Sequence, residues 1–225
     1  VPWSGGVPLN PFEADIITGS ESEGAPWRAA LYTRVNRAYG RGRSETWITS
    51  RAGRYELDDR PRHSARPLVT QALCCLTAGG DASFGQVDLS VSADAMTELA
   101  GQIRPRKPFR NLPSRPLAAL HVSQQTDTFT FGTDPAFVTR RWRDHYWRSL
   151  GGWQRLLMAA GAWLDVVFDD HLTLDRLRPY PHLFAPLSVA LSAAQVEVLR
   201  QYVEQGGRLH AGRWFAAQDE WGFPT

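Results

Sequence analysis

LSAAQVEVLRQYVEQGGRLHAG, residues 191–212, decides the fold. Ser192, with Gln195 three residues on, fits a capping box, in which a hydroxyl and an amide satisfy N–H groups that a helix start leaves unpaired. Val196, Leu199, Tyr202 and Val203 then recur at helical spacing and predict one apolar stripe. Gly206-Gly207 stops the helix where a left-handed residue is wanted. Arg208 to Gly212 follows at once as a strand. A helix, a glycine stop and an immediate strand make a tight α/β return.

Working outward, the same alternation fills the C-terminal half. Pro116 to Val122 reads as a strand, and Ser123 to Asp134 as a polar, Thr-rich loop long enough to be a functional candidate. Pro135 to Ala160 is the longest helical pattern. Its apolar side is Phe137, Trp142, Tyr146, Trp153, Leu156, Leu157 and Ala160, and Gly151-Gly152 is expected to bend or break it. Trp163 to Phe168 and Leu183 to Val189 are strands, joined by a connection anchored on Leu174, Leu177 and Tyr180.

A proline- and arginine-rich bridge, Arg104 to Arg115, separates this half from an earlier one and reads as a linker or irregular crossover. Before it, Ala14–Gly19, Glu45–Ser50 and Ala82–Val87 read as strands. Pro26–Tyr39, Pro67–Ala78 and Ala93–Ile103 read as helices, the first with Trp27, Ala30, Leu31, Val35 and Ala38 on its apolar side. The order βαβαβα implies a parallel sheet with covering helices.

Composition excludes several classes. The 225 residues are 43% hydrophobic and 21% charged, as in ordinary globular proteins, so disorder and collagen are out. No apolar run approaches the roughly 18 residues that a membrane helix needs. A net charge of +2 gives no electrostatic case for nucleic acid. Arg140, Arg141, Arg143 and Arg148, mixed with Trp142 and Trp147, read as a solvated face and a core face of one helix. The adjacent Cys74 and Cys75 sit in an apolar stretch and read as buried thiols. The six histidines form no metal-ligand spacing: His121 and His210 fall in strands, His145 on a helix, His63, His171 and His182 in connections. Asp169, Asp170 and His171 read as a solvated turn. No cofactor is expected, since the Gly-Gly pairs follow helices rather than strands. No signal peptide is visible; the compartment stays open, with the cytoplasm favoured.

The quoted stretch, with Ala185-Pro186 before it, resembles the flavodoxin-like, glutamine-amidotransferase-like module of family 42 β-galactosidases, often called the β-galactosidase trimerisation domain. The matching residues are Leu191-Ser192, Gln195, Tyr202-Val203, Gly206-Gly207 and Leu209. ADIITGSESEGAPW (14–27), ITSRAGRY (48–55) and LTAGGDASFGQ (76–86) resemble the last three βα units of the (β/α)8 barrel in the same proteins. The resemblance implies residues 1–113 as the C-terminal portion of that barrel and 114–225 as the flavodoxin-like domain. Three βα units cannot close a barrel, and the sequence stops at GFPT soon after the module's fourth strand, where five are usual. A fragment of a glycoside hydrolase, β-galactosidase-like or fucosidase-like, is therefore expected, truncated at its C-terminus as well. With no cysteine in the second half, amidotransferase chemistry is excluded.

Glycoside hydrolysis needs two carboxyl groups flanking the scissile bond, and in a barrel they sit at the C-terminal ends of strands. Glu21 and Glu23, just past the first strand, are the catalytic candidates, Glu21 first because it is nearer the strand end. Trp27, as a stacking surface, and Arg51, Tyr55 and Gln86 are the candidate substrate contacts. Glu45 and Asp81 fall at strand starts, where residues serve stability. The expected partners are a carbohydrate and, at full length, further copies of the same chain, with no nucleic acid and no membrane. The alternative reading is a non-catalytic α/β interaction or oligomerisation protein.

Overall fold

The computed structural model describes residues 17–22, 26–39, 44–49, 65–85, 93, 97–98, 100–109, 117–130 and 140–225. They fall into two compact units, Val1–Ser114 and Arg115–Thr225.

In the first unit, β1 (Ile17–Ser22), β2 (Ser44–Thr49) and β3 (Asp81–Gly85) form a parallel sheet in sequential order. Helix α1 (Pro26–Tyr39) crosses from β1 to β2, and α2 (Ala65–Thr77) leads into β3. Ala29 of α1 packs with Val69, Ala72 and Cys75 of α2. Neither cysteine is in a disulfide; Cys75 is buried but Cys74, expected to be buried too, is half-buried, and desolvation pushes the Cys74 thiol up from its ordinary value. Strand β1 runs past the expected end at Gly19 to Ser22, its ladder to β2 pairing Ile17–Ser22 with Ser44–Ile48, while residues 14–16 of the expected strand lie outside the described residues. Described residues of the third expected helix are helical. The bridge starts as a 3-10 helix, Arg104–Phe109, rather than as irregular chain.

The second unit holds a four-stranded parallel sheet, β4 (Ala118–Val122), β5 (Leu164–Phe168), β6 (His182–Ala185) and β7 (Arg208–Ala211), in the order β5-β4-β6-β7. Helix α3 (Arg140–Ala159) joins β4 to β5, and α4 (Ala193–Glu204) joins β6 to β7. β4 is buried at every position, as a central parallel strand covered on both faces must be. One face packs Ala119, Val167, Leu183, Leu199 and Tyr202 with Leu177 and Tyr180 from the β5–β6 connection.

Helix α3 runs unbroken through Gly151-Gly152. Its buried side, Tyr146, Leu150, Gln154 and Leu157, outweighs the roughly 1 kcal/mol that each glycine costs a helix. Leu156 and Ala160, expected on that side, are exposed. The stripe of α4 also differs from expectation. Leu199 and Tyr202 are buried and Val198 packs beside them, whereas Val196 and Val203 face solvent. The capping box forms as read: Ser192 Oγ accepts from Gln195 N–H at 3.2 Å, and Gln195 Oε1 from Ser192 N–H at 2.7 Å. Gly206 adopts φ +94°. β6 is shorter than Leu183–Val189: the chain turns at Pro186-Leu187, so Ser188 and Val189 leave the sheet, and His182 enters it.

Candidate functional site

In the first sheet, Glu21 is the fifth residue of the six-residue β1, within the strand rather than past it, with its backbone opposite Trp47. The register slips between Gly19 and Glu21, leaving Ser20 as an extra residue, a bulge of the kind that re-aims side chains near sites. Glu45 lies toward the opposite end, paired with Thr18 and Asp81. In a parallel sheet the ligand side is at the strands' C-terminal ends; Glu21 is on that side and Glu45 is not. Trp27 is the second residue of α1. Glu23, Arg51, Tyr55 and Gln86 lie outside the described residues.

In the second unit, the strand order changes direction at β4: the chain steps to β5 on one side, then to β6 on the other. The loops after β4 and β6 therefore part at their C-terminal ends, where α/β sheets place ligands. A buried polar cluster fills this point. His121, from β4, has Nδ1 2.6 Å from Ser188 Oγ and Nε2 3.1 Å from Asp169 Oδ1. All three residues are at most 5% exposed. The Nε2 approach lacks hydrogen-bond alignment, so Nε2 and Oδ1 have no hydrogen-bond partner. Nδ1 and the Ser188 hydroxyl share one hydrogen bond, and the Asp169 carboxylate sits beside the other ring nitrogen. Asp169 Oδ2 also accepts from Gln125 N–H at 3.0 Å, and the Asp169 carbonyl from Gln195 Nε2 at 3.3 Å.

Serine, histidine and aspartate in sequence suggest a nucleophile, base and acid, but the surroundings do not. Ser188 is 1% exposed. The two N–H groups after it, of Val189 and Ala190, both donate to Thr126 Oγ1 at 3.0 Å, so no donor remains free there for an oxyanion. Thr126 opens a π-helical turn, Thr126–Thr130, where a loop was expected. The cluster locks the β4, β5 and β6 loops together. Asp169 is thus buried, against its reading as a solvated turn; no spacing signal links residues 121, 169 and 188, because the strand order alone brings them together.

Among the described residues no group of three or more His, Cys, Asp or Glu could hold a metal, and no helix is long and apolar enough to cross a membrane.

No family model matches the sequence, and no curated protein matches it. Solved structures do. Gan42B, a GH42 β-galactosidase from G. stearothermophilus, aligns with a TM-score of 0.71 at 13% identity, over 93% of this chain and 34% of its own. The cold-adapted β-galactosidase from Rahnella sp. R3 gives 0.69 at 16% identity, again over 93% and 34%. That from the psychrophilic Marinomonas ef1 gives 0.61 at 14%, over 89% and 33%. The chain spans about a third of the length of these enzymes. It is an α/β protein whose fold is similar to that of one part of GH42 β-galactosidases.

Proposed function

We propose that the chain is part of a glycoside hydrolase, β-galactosidase-like or fucosidase-like, with the first unit as the last portion of a (β/α)8 barrel. The observation that carries this reading is the fold likeness to GH42 β-galactosidases across 93% of the chain. The position of Glu21, at the ligand side of a parallel sheet beside a bulge, supports it. In this reading Glu21 or Glu23 is one of the two carboxyl groups of the reaction. One carboxyl protonates the leaving oxygen, and the other attacks the anomeric carbon or activates water. Trp27 stacks on a sugar face, and Arg51, Tyr55 and Gln86 meet hydroxyl groups. The second unit serves packing and homo-oligomerisation, for which its exposed Trp163, Trp214, Trp221 and Phe223 offer apolar surface.

The test is hydrolysis of aryl β-galactosides and aryl α-fucosides by the natural polypeptide that contains these residues. Glu21→Gln or Glu23→Gln should lower kcat by about a hundredfold or more with the circular dichroism spectrum unchanged. Full activity in both variants, or no hydrolysis of either substrate by the natural polypeptide, overturns the reading.

A further inference from the structure

On the sheet face opposite the Leu183–Leu199 core lies a row of rings, half-buried at Trp153, Phe184 and His182 and exposed at His210. Trp153 of α3 packs on Phe184 of β6, with ring centres 5.6 Å apart. Phe184 stacks on His210 of β7 at 4.4 Å and 10°. His210 then meets His182 of β6, with His182 Nδ1 3.0 Å from His210 Nε2. The ladder pairs His182 with Arg208 and Phe184 with His210, so the two histidines are diagonal neighbours on one face.

The geometry points to a two-imidazole binding site for a divalent transition-metal ion at His182 and His210. Two nitrogens each about 2.0–2.1 Å from one ion, at the angles of square or tetrahedral coordination, lie roughly 3 Å apart, and that spacing is already present. The nitrogens face each other across one N–H···N hydrogen bond. The donor ring takes its other tautomer, its proton passing through solvent to the far ring nitrogen, and the His182 ring turns so that its lone pair and that of His210 meet at one ion. Solvent then supplies the remaining ligands. Stacking on Phe184, itself braced by Trp153, presets the His210 ring, as outer partners do in established metal sites.

Charge sets the selectivity. The ladder partner of His182 is Arg208, which sets a positive charge beside the two rings. The Arg208 guanidinium opposes any cation held by charge alone. The site therefore suits ions that bond strongly to imidazole, Cu2+ above Ni2+, and rejects Mg2+ and Ca2+.

The test is calorimetric titration of the natural polypeptide that contains these residues with Cu2+, Ni2+ and Mg2+ in a non-coordinating buffer near pH 7.5. His182→Ala, His210→Ala and the double variant are titrated beside it, with circular dichroism as the fold check. The expected result is one site for Cu2+, tighter than for Ni2+, with no Mg2+ heat. Each single variant should bind at least about tenfold more weakly, and binding should fade as pH drops through the histidine range. Equal Cu2+ affinity in the wild type and the double variant would assign the heat to other histidines and overturn the site. So would the absence of any Cu2+ step in the wild type.

Discussion

Asp169 and Tyr180 each place a polar atom where the second unit's core has little room for water. Removing the Asp169 carboxylate strands Gln125 N–H and leaves the His121 ring without its charged neighbour. The ring is buried and Gln125 half-buried, so Asp169→Ala should cost about 3 kcal/mol, read as a lower urea midpoint, because breaking a buried polar pair leaves its partner uncompensated. Ser188→Ala removes one hydroxyl that shares a single hydrogen bond with the His121 ring and should cost about 1 kcal/mol. If Asp169→Ala proves no worse than Ser188→Ala, the lock does not depend on the carboxylate. Tyr180 donates to Asp165 Oδ2 at 3.2 Å, and burial, followed by the Asp165 charge, pushes its phenol up to about 12. An acid with a raised folded-state pKa stabilises the fold fully below its unfolded value near 10, and that contribution is lost as pH climbs through 12. The loss should reach about 2–3 kcal/mol. Tyr180→Phe should therefore flatten the alkaline limb of the stability curve between pH 10 and 12, and an unchanged limb would refute the assignment.

At the scale of elements, the two ends of α4 carry different weights. Ser192→Ala removes the cap acceptor and should cost about 1 kcal/mol. Gly207→Ala should cost more, because a Cβ there would sit 2.3 Å from the Tyr202 ring, and that ring is buried with its hydroxyl bonded to the Tyr180 carbonyl. Thermal melts of the two variants should rank in that order; the reverse order would mean that the ring moves aside freely. Both features were legible in the sequence, since a capping box and a glycine stop are local chemistry. The stripe between them was misread. Helical spacing says which residues share a side, but the angle at which α4 lies on the sheet chose Val198 over Val196 and Val203. The same holds for Gly151-Gly152 in α3, where packing overrode propensity.

For the second unit, the strand order β5-β4-β6-β7 is the decisive fact, because it brings together the loops at one end of the sheet and joins residues 67 positions apart. The order β1-β2-β3 is simply sequential, and it puts Glu21 and Glu45 toward opposite ends of one sheet. The glycosidase reading belongs at this scale: activity requires a complete cleft, so the kinetic comparison of Glu21→Gln and Glu23→Gln tests the fold likeness and the carboxylates together. Glu21 was a candidate in the sequence because a carboxylate near the end of an apolar run is a local signal; the structure sets it inside β1 rather than past it. His121, Asp169 and Ser188 were individually visible, but nothing in their spacing joined them.

The sequence by itself determined the alternation of strands and helices, the start and stop of α4 and the burial of Cys75. Each of these depends on neighbours within a few turns of chain. Only the tertiary structure decided that Asp169 is enclosed, that His121 meets Ser188 and that His182 faces His210. Contacts between parallel strands are set by sheet order and register, which distant backbone hydrogen bonds fix and no local pattern encodes.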